Sequence, residues 1–207
     1  HVLIYEPHGA PEPDQMPVAR KELKMTRARA LLIRLTEMYR SQGYRLSRLE
    51  MQKLAYFLQV AGEPLQLRYE RGHYGPYAHN LNHILQLMEG RYLRGYGDGS
   101  QRAEIYPIPE AVKLAHAFLE ENPEAQARLE QVQQLIEGFE TPYGMELLAT
   151  VHWILQEEPS AGEQAERAID QVQQWSERKR QRYEPRHIET AWERVRNTEW
   201  LMPVATR

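Results

Sequence analysis

Cysteine is absent from the 207-residue chain. That excludes disulfides, thiolate metal centres and thiol nucleophiles, and it fits a reducing compartment. Also missing is any apolar run near the ~20 residues a membrane-spanning helix needs. No signal-peptide core is present either. A cytoplasmic protein without a membrane partner is the expectation. Excess charge is lacking too: the formal net charge is -3, which on average points to neither a nucleic-acid binder nor an acidic tail. No Ser/His/Asp grouping or isolated carboxylate pair stands out, so no catalytic residue, metal or cofactor is assigned.

The chain does hold an uneven charge distribution. Residues 109–170 carry 13 acidic and three basic residues. Such a block can steer a basic partner, although solvated helix faces give the same composition. Proline is also uneven. Pro7, Pro11, Pro13 and Pro17 follow the strand-like Val2-Leu3-Ile4-Tyr5, and proline disfavours regular packing. Residues 1–23 therefore read as the tail of a preceding domain plus a Pro-rich linker. Residues 24–207 read as one mainly α domain with a small β element, an α+β multi-helix arrangement.

Helix signals fill most of that domain. Thr26 to Ser41 places Leu31, Leu35, Met38 and Tyr39 on one face. Ser47-Arg48-Leu49-Glu50 is a capping box opening a helix with Met51, Leu54, Ala55 and Leu58. Leu65 to Tyr69 has strand periodicity. Gly72, Gly75 and Pro76 suggest a corner, with Pro76 starting the helix that carries Leu81, Ile84, Leu85 and Met88. Gly90 closes it, and Tyr92 to Tyr106 reads as a hairpin turning at Asp98-Gly99. Pro109 opens a helix with Ala111, Leu114, Ala115 and Phe118 on one face. Asn122-Pro123 and Thr141-Pro142 open two more. Ser160 to Glu163 reads as a second capping box, and Pro185 starts the last helix.

Three motifs bear on chemistry. His79 and His83 have the i, i+4 spacing of zinc ligands, with His73 as a third candidate. The acid of a zincin motif is missing, so two helix histidines are expected instead. Gly72-His73-Tyr74-Gly75-Pro76-Tyr77 is more specific: its glycines permit close backbone approach, and Tyr74 and Tyr77 could line a recognition surface. Arg178-Lys179-Arg180-Gln181-Arg182 reads as a charged loop between helices. With its neighbours it leaves a DNA-binding regulator of helix-turn-helix type open.

Leu49 to Gln59, then Gly62 and Pro64-Leu65, Tyr69, Gly72 to Ala78, Leu81-Asn82-His83 and Gly95 to Asp98 together resemble the C-terminal domain of the DarG antitoxin family. The Leu-x-Tyr-Phe core followed by Tyr-Gly-Pro is also similar to Panacea and SocA-like antitoxin domains. The likeness extends more weakly to residues 175–202. It implies a partner, a DarT-like toxin that attaches ADP-ribose to thymidine in single-stranded DNA. It also implies that a macrodomain DNA ADP-ribosylglycohydrolase makes up the other half of the full-length protein. The glycine-rich macrodomain loops are not found in these residues, so the chain is expected to bind toxin and not to be an enzyme. Glu120, Glu121, Glu124, Glu130 and Glu137, with Tyr74 and Tyr77, are the candidate toxin-binding residues. The acids would stand where the phosphates of single-stranded DNA lie. Binding of the chain itself to nucleic acid stays open.

Overall fold

The computed structural model describes residues 23–97 and 104–201. In chain order its elements are α1 (Arg27–Ser41), α2 (Arg48–Val60), β1 (Tyr69–Gly72), β2 (Gly75–Ala78), α3 (His79–Met88), β3 (Leu93–Arg94), β4 (Tyr106–Pro107), α4 (Pro109–Leu119), α5 (Pro123–Ile136), α6 (Pro142–Glu157), α7 (Ala165–Trp175), α8 (Glu177–Arg182) and α9 (Pro185–Arg196). Short 3-10 turns cover Pro159–Gly162 and Glu199–Leu201. The fold is mainly α with small β elements, as the periodicity indicates.

Two helices lack an ordinary polar face. Every residue of α6 from Gly144 to His152 is buried, and so is every residue of α2 from Glu50 to Leu58. A helix apolar on most sides must lie inside, and α2 and α6 pack on each other at the centre. On one flank, α1 packs against α4 and α5. On the other, α7 and α9 pack against α6 and against each other. The antiparallel hairpin of β1 and β2 lies on α2 and α6, with Tyr69 opposite Ala78 and Gly72 opposite Gly75. β3 and β4 pair antiparallel, Leu93 opposite Pro107.

Local chemistry explains most boundaries. Thr26 accepts from the Arg29 amide at 3.4 Å to start α1. The Ser47–Glu50 capping box is present: the Ser47 amide donates to Glu50 at 2.7 Å, and Tyr39 donates to the same carboxylate at 2.8 Å. Thr141 accepts from the Gly144 amide at 3.0 Å ahead of Pro142. Pro109, Pro123, Pro142 and Pro185 each open a helix, where their missing N–H is harmless.

Five expectations are corrected. Leu65 to Tyr69 is not a strand. Gln66 has φ +56°, which breaks extension, and the side chain of Gln59 takes both backbone groups of Leu67 at 2.9 and 2.7 Å. The strand begins instead at Tyr69. The corner at 72–77 is the turn of a hairpin, and Pro76 lies within β2 while the helix starts at His79. Leu114 and Phe118 are exposed at 55% and 41%. The buried face of α4, which packs on α1, is Ala111, Ala115 and Leu119, and its two alanines allow close approach. Ser160 caps no α-helix. It sits inside a 3-10 turn whose Ala161 carbonyl is held by Trp192 Nε1 at 2.9 Å, and α7 starts at Ala165 after Gln164. Residues 178–182 form a helix, α8, capped by Ser176. The Asp98-Gly99 turn, the division near residue 23 as it concerns residues 1–22, and Met202 lie outside the described residues.

Candidate functional site

The hairpin that carries Tyr74 and Tyr77 is clamped from below by polar side chains rising out of apolar helix faces. On α2, Gln52 acts like a neighbouring strand: its amide donates to the Ala78 carbonyl and accepts from the Ala78 amide, both at 3.0 Å. One residue further, buried Lys53 donates to the Pro76 carbonyl at 2.6 Å. Gly75 has φ +85°, and a Cβ there would stand 2.8 Å from Thr150 Oγ1 of α6. Trp175, at the end of α7, donates to the Gly72 carbonyl at 3.2 Å.

Below Thr150 sits a buried ionic group. Glu146 on α6 accepts from Arg178 at 2.6 and 3.0 Å and from Lys179 at 2.7 Å, and Lys179 also reaches Thr150 at 3.1 Å. Burial opposes the charge on Glu146, but the Arg178 hydrogen bonds and the Lys179 charge hold it down at about 2. Burial lowers Lys179, against the pull of Glu146. Burial, together with the nearby Lys179 charge, lowers Lys53 to about 7. Two cations thus share one carboxylate, while Lys53 turns to the Pro76 carbonyl of the hairpin. Burying an ion pair adds little net stability over apolar packing, because desolvation offsets the attraction. Here the pairs lock α8 and α6 beneath the turn.

That clamp determines what the two tyrosines can do. Tyr74, at the tip, is 49% exposed, with the Arg178 guanidinium 4.5 Å from its ring centre. Tyr77 is half-buried. Its hydroxyl accepts from Asn82 at 2.6 Å, Tyr96 donates to the same Asn82 at 3.0 Å, and His79 packs edge-on against its ring. Tyr74 is thus exposed with Arg178 over its ring and His73 edge-on against it, whereas Tyr77 is partly spent on internal packing. His79 also lies 3.1 Å from Glu70. Among the described residues no group of three His, Asp or Glu side chains is placed to hold a metal ion.

All five candidate acids are exposed. Glu120 and Glu121 form the turn between α4 and α5, and Glu124 follows in the first turn of α5. Glu130 and Glu137 lie further along. At 1.5 Å rise per residue, Glu137 stands roughly 20 Å from Glu124. The structure thus groups Glu120, Glu121 and Glu124 and separates the other two. Glu124 is 3.9 Å from Arg128, whose main partner is buried Glu63 at 2.7 Å. Arg27 clasps Glu63 from α1 at 2.6 and 2.8 Å, which fixes this corner to the core. Glu130 borders a shallow cavity of about 280 Å³ with Arg34, His116 and Leu129. The acids and the tyrosines sit on different elements, with α2 touching both α5 and β2.

The basic run on α8 offers less to a DNA backbone than its sequence suggests. Lys179 is fully buried, Arg178 is committed to Glu146, and Arg180 pairs with Glu177. Sequence reading missed Gln52, Lys53, Glu146 and Thr150 as the clamp. Their signal is a polar residue at a core position of an otherwise apolar helix face, as Glu146 is between Met145 and Leu147.

A mainly helical domain with a clamped hairpin and an acidic corner is the structural class. Comparison with known proteins adds kinship. No protein-family model matches the chain. It is 43% identical over 157 residues to a DNA ADP-ribosyl glycohydrolase of Thermus aquaticus, covering 76% of this chain and 44% of that protein. It is 34% identical over 209 residues to proteins of the same name from Mycobacterium bovis and Mycobacterium tuberculosis, covering 93% of this chain and 58% of each. The chain is thus similar to these proteins, and it spans about half their length. The expectation of a chain that is not an enzyme is overturned here. The relatives that align with most of it carry an enzyme's name. That expectation rested on the absence of glycine-rich macrodomain loops from these residues. No helix among the described residues is long and apolar enough to cross a membrane.

Proposed function

We propose that the protein acts in DNA ADP-ribosylation as a DarG-like glycohydrolase, and that residues 24–201 bind and inhibit a DarT-like toxin. The observation that carries the first half is the 34–43% identity with proteins named DNA ADP-ribosyl glycohydrolase. The hydrolysis is assigned to no residue described above. The second half is supported by the grouping of exposed Glu120, Glu121 and Glu124 on a corner braced by Arg27 and Arg128.

Physically, a toxin that modifies single-stranded DNA needs a basic groove for phosphates. Carboxylates held on a rigid corner would compete for that groove, and their charge would speed encounter. Tyr74 would add a stacking surface of the kind a base offers.

Two measurements test the proposal. For inhibition, the toxin is mixed with the protein and its modification of thymidine-containing single-stranded DNA is followed. Co-elution and loss of modification at equimolar ratio are expected, whereas separate elution with full toxin activity contradicts inhibition. For hydrolysis, ADP-ribosylated DNA is incubated with the protein. Release of ADP-ribose above a buffer control is expected, and no release contradicts it.

A further inference from the structure

α4 carries two apolar faces, and only one is used. Ala111, Ala115 and Leu119 are buried, and the helix packs on α1. Leu114, Ala117 and Phe118 are exposed, with Leu114 the most exposed large apolar side chain among the described residues. At about 100° per residue these three form one stripe, its centre turned roughly 105° from that of the buried face. Leu114 and Phe118 stand about one helical turn apart, so their side chains are neighbours.

A helix of a globular domain ordinarily shows water its polar side. Clustered exposed apolar residues rimmed by polar ones mark interaction surfaces. The rim here has a definite sign. Glu110 precedes the stripe, Glu120 and Glu121 follow it, and Glu124 stands beyond. Lys113 is the one lysine or arginine within this span, and His116 is turned toward Glu37 at 3.1 Å. The chemistry that complements an apolar ridge within four carboxylates is an apolar depression bordered by lysines or arginines.

We propose that the Leu114–Phe118 ridge is the anchor that seats in the basic groove of the DarT-like toxin, with Glu110, Glu120, Glu121 and Glu124 as its charged rim. This rests on the toxin-binding reading above and gives it a different centre. The acids steer and orient, while the ridge sets how long the complex lasts. Interfaces are commonly built so, with a few central apolar anchors dominating dissociation and rim charges governing association.

The test is L114S/F118S in the whole protein, titrated against the toxin by a method that resolves both rate constants. Both positions are exposed, so folding should survive, and circular dichroism checks it. Leu87→Ser serves as control, since Leu87 is exposed on α3, away from the stripe. The double variant should bind about 100-fold more weakly, nearly all of it through faster dissociation, and the control should bind like the parent. If the parent binds and the folded double variant binds equally well, the anchor is wrong and toxin binding stands. If the double variant weakens no more than the control, the effect is not specific and the anchor is again wrong. If the parent does not bind the toxin at all, the toxin-binding reading falls and the anchor with it. A parent that self-associates through this face, with the double variant monomeric, would make a second copy the occupant and overturn the proposal.

Discussion

Gly75 and Lys53 are the residues on which the hairpin depends. Gly75 takes φ +85° with Thr150 Oγ1 at 2.8 Å from where a Cβ would be. A β-branched side chain there meets both a disfavoured backbone region and a wall. Gly75→Val should lose about 2–4 kcal/mol by denaturant titration, and an unchanged midpoint would mean the turn is not built this way. Lys53 gives a pH signature. Its folded value is lowered from 10.5 to about 7, so between these values the unfolded chain binds more protons. Its contribution to stability is complete above about 10.5 and is lost as pH falls toward 7. The parent should therefore gain stability relative to Lys53→Met as pH rises from 7 to 10. Denaturation curves that shift in parallel for the two proteins would show that Lys53 is not held neutral beneath the hairpin.

At the scale of elements, boundaries written in local chemistry were legible, and those set by packing were not. The capping box at Ser47, the proline starts and the left-handed Gly90 after α3 depend on neighbouring residues alone. The Ser160 motif has the same letters as the Ser47 box. It fails because Pro159 starts a 3-10 turn and Trp192 of α9 holds the Ala161 carbonyl, a contact 31 residues away. α4 fails similarly: Ala111/Ala115 and Leu114/Phe118 both fit helical spacing, and only the presence of α1 decides which pair is covered. The Gln52–Lys53–Glu146–Thr150 clamp joins α2 to α6 and could not be seen from either helix. A paired prediction separates the two serine motifs. Glu50→Ala strands the Ser47 amide and the buried Tyr39 hydroxyl and should cost about 2–3 kcal/mol. Ser160→Ala should stay within about 0.5 kcal/mol. Equal losses in chemical denaturation would contradict the assigned helix starts.

For the whole molecule, the net charge of -3 conceals a division of labour. Buried charges such as Glu63 and Glu146 are internally clasped by arginines and a lysine. Those exposed around the α4–α5 turn are mostly carboxylates. The triple variant Glu120→Lys, Glu121→Lys, Glu124→Lys should fold, since all three are exposed, and should associate with the toxin at least tenfold more slowly at low salt. A folded triple variant with the parent's affinity and association rate would remove these acids from the interface.

The most direct measurement of the central claim is competition. Toxin affinity for the protein is titrated in the absence and presence of saturating thymidine-containing single-stranded DNA. If the protein occupies the DNA groove, the two ligands exclude each other, and its apparent dissociation constant rises in proportion to the DNA concentration. If toxin, DNA and protein form a ternary complex with unchanged affinities, the acidic corner does not stand in for phosphates and inhibition by mimicry is wrong.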